Sequence, residues 1–284
     1  MSFRTVIIKE RSKLDLKTGY LVCRNNEEKK VFIPEISFLI LESTAISLTS
    51  ALISELVKNN VRIIFCDEKH NPESEVSPYY GHCSTSKRIK AQTQWKNEVK
   101  GKVWAEIVKD KIKKQKEFLK IKDLEEWKLL ESYQAQVEIF DNSNREGHAA
   151  KVYFNALWGK LFSRREQSAI NTALNYGYSI LLSCFNREIV KLGYLTELGV
   201  WHKNEFNQFN LSCDFMEPFR VLIDKIVFDL TDESNFKKEV LKIFEKQIKI
   251  DGKMQYLENA ISVYCQSVIN AIETEDVSLI KFYE

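Results

Sequence analysis

The stretch DEKHNPESEVSPYYGH, residues 67–82, divides the chain into two textures. Its prolines, charges and small polar residues follow no apolar period, so it predicts a linker. Before it lie the runs FRTVIIKE, KLDLKTGYLVCR, KKVFIPEI and VRIIFC, rich in β-branched and aromatic residues and punctuated by Gly19, Asn25, Asn26 and Pro34. These predict strands. A helix interrupts them over residues 44–59, where Ile46, Ala51, Leu52 and Leu56 follow Ser43 or Thr44 as N-cap.

After the linker the period is helical. Trp95, Val99, Val103, Ile107 and Ile112 form a stripe opposite a lysine-rich face, and residues 124–140 repeat the pattern. Ala149, Ala150, Tyr153, Leu157 and Leu161 make the next helix, residues 174–190 another with Gly193 as its C-cap, and residues 236–250 and 254–273 the last two. The expected fold class is α+β in two domains. A small β-rich domain covers residues 1–70, a linker residues 71–86, and a larger all-α domain residues 87–284.

A chain of 284 residues with 44% hydrophobic content can bury a sizeable core. No apolar run reaches the length of a membrane span, and residues 1–10 lack the plan of a signal peptide, so the expectation is a soluble, cytoplasmic protein with no membrane partner. Six cysteines stand singly, with no C-x-x-C pair, and read as reduced and packed, Cys213 included. The net charge of +2 conceals an uneven distribution, since residues 87–128 hold 14 Lys and Arg against 7 Asp and Glu. Such a face suits a phosphate-bearing partner, although a solvated lysine-rich helix has the same composition.

In LSCDFMEPFR, residues 211–220, Asp214 and Glu217 lie three apart, on one face of any helix that contains them. Taken alone, this is a helix start capped by Ser212 or Asp214, with Pro218 in the first turn. The aperiodic YLTELGVWHKNEFNQFN brings His202 just upstream. In SNREGHAAKVYFNALWG, Ser143 or Asn144 caps a helix whose first turn holds Glu146. Gly147, Ala149 and Ala150 keep that turn slim, and His148 points away from Glu146. One imidazole with two or three carboxylates is a donor set that suits Mg²⁺ or Mn²⁺, whereas structural zinc favours thiolates.

Taken together, EGHAAKVYFNALWG, LGVWHKNEFNQFNLSCDFMEPFR and PYYGHCSTSKRIKAQ, in the order β-rich domain then helical domain, resemble the CRISPR adaptation integrase, the Cas-one family, in its type II (II-A-like) form. The resemblance covers nearly the whole chain. It implies a metal-dependent integrase and endonuclease of antiviral defence, which joins the 3′-hydroxyls of a spacer precursor to leader-repeat DNA by transesterification. It places the metal ligands and catalytic residues on Glu146, His202 and Glu217, with Asp214 beside them, touching the metal directly or through water. Lys87, Arg88, Lys90 and Gln92 would hold duplex phosphates, and Lys203 and Arg220 would flank the centre. The implied partners are double-stranded DNA, a second copy joined through the β-rich domains, and a Cas-two dimer clamped by two such homodimers. Type II relatives also work with a DNA-encircling accessory ring protein and an effector nuclease. Two other readings fit the same residues: a nuclease that uses water as nucleophile, and a non-catalytic DNA-binding scaffold whose acids only cap helices.

Overall fold

The computed structural model describes residues 4–76, 84–232 and 235–284. The chain forms two compact units, Met1–Tyr79 and Tyr80–Glu284.

The first unit holds β1 (Arg4–Ile8), β2 (Ser12–Lys17), β3 (Tyr20–Arg24), β4 (Glu28–Phe32), β5 (Ile36–Leu41), β6 (Ile46–Leu48), α1 (Ser50–Lys58), β7 (Arg62–Cys66) and β8 (Pro72–Glu75). One sheet runs β1-β5-β7-β8, with β8 antiparallel to its neighbour and the other pairs parallel. The other runs β4-β3-β2-β6. Thr18 and Gly19, both at positive φ, close the β2–β3 hairpin with the tight turn that suits strand twist. Leu14, Leu21, Ile36, Leu39, Leu52, Leu56 and Ile63 bury a shared core between these strands and α1.

Three local expectations give way here. The helix expected over residues 44–59 begins at Ser50, because Thr49 rather than Ser43 or Thr44 caps it, its hydroxyl accepting from Leu52 N at 3.3 Å. Ile46 belongs instead to β6, paired with β2. β5, ISFLIL, is missing from the expected strands; it is buried along its whole length, so it shows none of the alternation by which a half-exposed strand is recognised. Residues 72–75 of the expected linker form β8 on the sheet edge, where Pro72 at the strand's start is tolerated. Linker residues 77–83, including Cys83, lie outside the described residues.

The second unit contains α2 (Thr85–Thr93), α3 (Asn97–Ile121), α4 (Trp127–Ala135), α5 (Arg145–Trp158), α6 (Ala169–Lys191), α7 (Asn210–Met216), α8 (Arg220–Phe228), α9 (Phe236–Leu241), β9 (Gln247–Ile250), β10 (Lys253–Tyr256) and α10 (Leu257–Thr274). α3 packs against α4, α5, α8 and α10, and α6 against α7, α8 and α10. Phe185, Phe215, Phe219, Tyr264 and Tyr283 join their rings beneath α7 and α8. Gly193, at positive φ, ends α6 as expected, with Tyr194 N bonded back to Ile189 O at 3.1 Å.

The region after residue 246 is not wholly helical, as the period suggested. β9 and β10 form a hairpin whose turn, Asp251-Gly252, has positive φ at both positions, and that dipeptide is the strongest short signal for such a turn. Leu161, expected on the α5 stripe, lies beyond its end at Gly159 and is exposed. α7 and α8 form one helical path interrupted at Glu217–Phe219 by a 3₁₀ turn. Pro218 has no N–H for an α-helical bond, so the chain tightens there, and Tyr283 Oη donates to the Pro218 carbonyl at 3.0 Å.

Thr49→Ala should cost about 1 kcal/mol of folding stability in denaturant titration, and Thr44→Ala less than about 0.5 kcal/mol. Equal losses would place the cap wrongly.

Candidate functional site: a carboxylate pair and a fixed histidine

Asp214 lies within α7 and has no exposed surface. A carboxylate so placed must be satisfied by donors, and it accepts from the backbone N–H of Val200 at 2.7 Å, Trp201 at 2.9 Å and His202 at 3.2 Å. The His202 Nδ1 is 2.5 Å from the same group. Asp214 therefore folds the loop that carries the histidine; it does not cap a helix start, since α7 begins at Asn210. Gly199 is required where the loop crosses it, because a Cβ there would lie 2.7 Å from Asp214 Oδ2 and 2.5 Å from the His202 carbonyl. Buried Gln92, expected to meet DNA, ties down the same loop instead, donating to the carbonyls of Leu195 at 2.9 Å and Leu198 at 3.1 Å. Trp104 of α3 lies edge-on to the His202 ring and stacks on Trp201.

The hydrogen bond that the His202 ring donates to Asp214 raises the His202 pKa, and burial opposes it. The charged imidazole thus stabilises the fold below the ordinary histidine value of about 6.5, an effect lost as pH rises through the raised value. With Nδ1 held by Asp214, Nε2 is the nitrogen left for a ligand.

Glu146 stands in the first turn of α5. Neither Ser143 nor Asn144 caps this helix with its side chain; the carboxylate of Asp141 accepts from Arg145 N at 2.8 Å and Glu146 N at 2.9 Å. Positive φ at Phe140, Asp141 and Asn144 brings Asp141 under the helix end. The strain at Phe140 is offset by its ring, which fills the space that Gly101 of α3 leaves. What lies against Gly147 is the Asn144 amide. His148 is exposed and faces Tyr133, away from Glu146.

Glu217 sits in the 3₁₀ turn, buried, with one oxygen on Arg220 Nε at 2.9 Å and the other on the Lys111 ammonium. Lys111 also holds Glu146, so one ammonium from α3 joins the two carboxylates. Burial would push the Glu217 carboxyl up, but Arg220 and Lys111 outweigh it and hold it at about 2. His202 is close enough for both carboxylates to act on its charge. Among the described residues no three His, Cys, Asp or Glu side chains converge closely enough to hold a metal ion. The donor types nevertheless fit Mg²⁺ or Mn²⁺, and the shared ammonium shows that a cation is accommodated between Glu146 and Glu217.

Beside His202 opens a groove of about 550 Å³, lined by Trp95, Asn97, Lys100, Lys203 and Asn207 among others. Lys87, Lys90 and Lys203 are exposed. Arg88 is committed to Glu273 at 2.9 Å and to the Tyr194 hydroxyl, and Arg220 to Glu217 and the Tyr178 ring. Sequence reasoning missed Lys111, Asp141 and Trp104. Lys111 is one lysine among many on α3, and no pattern marks it as buried.

The fold as a whole is shared with chains of known structure. A casposase bound to its integration product matches 97% of this chain and 91% of its own, with TM-score 0.79 at 19% identity. A chain of a Cas6-RT-Cas1–Cas2 complex matches 98% of this chain and 36% of its own, with TM-score 0.75 at 16% identity. In sequence, residues 5–256 match the family described as CRISPR associated protein Cas1. The CRISPR-associated endonuclease Cas1 of Neisseria meningitidis serogroup C (strain 8013) is 34% identical over 244 residues, 84% of this chain and 80% of that protein. The chain belongs to the Cas1 family.

Two facing acids alone would repel, so that Glu217→Gln would leave the metal-free protein no less stable. The two cations on Glu217 reverse that sign. The carboxylate's contribution is present above the ordinary carboxyl pKa and lost only as pH falls towards 2. Glu217→Gln should therefore cost on the order of 3 kcal/mol in metal-free melts at neutral pH. An unchanged or raised Tm would show that Lys111 and Arg220 do not compensate this charge.

Proposed function

We propose that this protein is a divalent-metal-dependent DNA integrase and endonuclease of CRISPR adaptation, joining spacer-precursor 3′-hydroxyls to leader-repeat DNA. Family membership supports the reading. The observation that carries it is the shared cation seat of Glu146 and Glu217, beside an imidazole whose other nitrogen is already fixed.

Glu146, Glu217 and His202 would hold Mg²⁺ or Mn²⁺, which when bound lowers the pKa of the attacking hydroxyl and stabilises the leaving oxygen. Asp214 keeps the proton on His202 Nδ1 and so presents the Nε2 lone pair; it acts through the histidine rather than on the ion. In the joining step the spacer-precursor 3′-hydroxyl gives up its proton to solvent as its oxygen bonds to a repeat phosphorus, the bond from that phosphorus to its 3′-bridging oxygen breaks, and that oxygen takes up a proton from solvent. One phosphodiester replaces another. No protein nucleophile enters: burial pushes the Cys213 thiol up, and Asn207 hydrogen-bonds its sulfur. Lys87, Lys90 and Lys203 would contact DNA phosphates, and the groove beside His202 gives the target strand a place to lie.

A Cas2-type partner is supported by the fold shared with a chain of a Cas6-RT-Cas1–Cas2 complex, and its dimeric state rests on the resemblance of the motifs. Homodimerisation through the β-rich unit, assembly of two homodimers on that partner, and the II-A-like branch with its accessory ring protein and effector nuclease rest on the resemblance of the motifs. Hydrolysis at the same centre is the second reading, supported by the endonuclease name of the Neisseria relative.

Incubated with Mn²⁺, a Cas2-type partner, spacer-precursor DNA and a repeat-bearing plasmid, the protein should yield covalently joined strands. Glu217→Gln and His202→Ala should lose joining by more than about 100-fold, and His148→Ala should stay within a few-fold. Nicking without joining would favour the nuclease, and wild-type joining by Glu217→Gln would end the proposed mechanism.

A further inference from the structure

We propose that Lys111 is a built-in placeholder cation, a positioning residue that occupies the seat between Glu146 and Glu217 in the metal-free protein and must vacate it for the divalent ion to enter. The proposal rests on the metal reading above.

The geometry is restrictive. Glu217 has two oxygens, and both are engaged: Oε1 by Arg220 and Oε2 by Lys111. The Arg220 guanidinium is pinned by the Tyr178 ring 4.7 Å away and by the short lever of three residues to Glu217 in the same helical path. Lys111 reaches in from a different helix on a flexible four-carbon stem, and it alone of the two also holds Glu146. An ion held by Glu146 and Glu217 would therefore compete with this ammonium for the same oxygens.

The arrangement has a structural reason. Glu217 and Lys111 are buried, and a buried carboxylate facing a second one needs a counter-charge to stay ionised. Lys111 supplies it, so the site folds with its acids already together, and the ion enters by exchange of one cation for another. Its metal affinity is lowered by the competition, whereas a lysine that merely filled space would leave affinity alone.

The test reads metal binding, not turnover. In calorimetric titration with Mn²⁺ of the full-length, DNA-free protein, Lys111→Met should bind at least about tenfold more tightly than wild type, although its metal-free Tm is lower. Equal or weaker binding by Lys111→Met would overturn the placeholder role. If wild type shows no Mn²⁺ binding that Glu217→Gln removes, the metal reading itself fails, which is a different outcome. Should Lys111→Met not fold, wild type answers alone. The ¹⁵Nζ resonance of Lys111, protected from exchange by its two carboxylates, should lose that protection along the Mg²⁺ titration; protection retained at saturating Mg²⁺ would overturn the proposal.

Discussion

The carboxylate of Asp214 is the constraint on which the site depends. It is buried without exposure inside α7, where an unsatisfied charge would be prohibitive. Three backbone N–H groups and one imidazole surround it, all from the loop that precedes the helix. The loop has no regular secondary structure of its own, so its conformation is set from outside, by Asp214 below, Gln92 from α2 and the Asn210 amide. One arrangement thereby satisfies a buried charge and fixes a histidine ring.

α3 organises the opposite wall. Its Gly101 admits Phe140, its Trp104 stacks on the loop, and its Lys111 joins the acids of α5 and the 3₁₀ turn. One turn along, Lys114 is buried on Asp110 and over the Tyr283 ring, and Tyr283 in turn holds the Pro218 carbonyl next to Glu217. The lysine-rich helix is thus not only a solvated or DNA-facing surface, because two of its cations point inward as counter-charges.

Much of this was legible in the sequence, for identifiable reasons. The change of texture near residue 80 separated a β-rich region from a helical one because strand and helix periods differ. The segments around Glu146, His202 and Glu217 stood out because acids and a histidine beside small residues and a proline form distinctive strings, and the structure brings Glu146 and Glu217 onto one ammonium. What failed was local. ISFLIL, buried throughout as β5, lacks alternation, and the Asp251-Gly252 turn was overlooked inside an apparently helical run. The roles of the acids failed for another reason: a cap and an organiser of a distant loop have the same letter, and only tertiary contacts showed that Asp141 caps α5 while Asp214 builds a loop. Lys111 was illegible because burial of one lysine among neighbours of the same type is decided by the packing of three separate elements.

The central proposal is that Glu146, Glu217 and His202 would together hold a divalent cation once Lys111 withdraws, with the histidine set by Asp214. A crystal structure of the protein soaked in Mn²⁺, with the metal located from its anomalous signal, tests this most directly. The account predicts a peak bonded to Glu146, Glu217 and His202 Nε2, with Lys111 withdrawn and Asp214 still on Nδ1. A peak bonded to Asp214, or none at these residues while Lys111 still bridges the two glutamates, would contradict it.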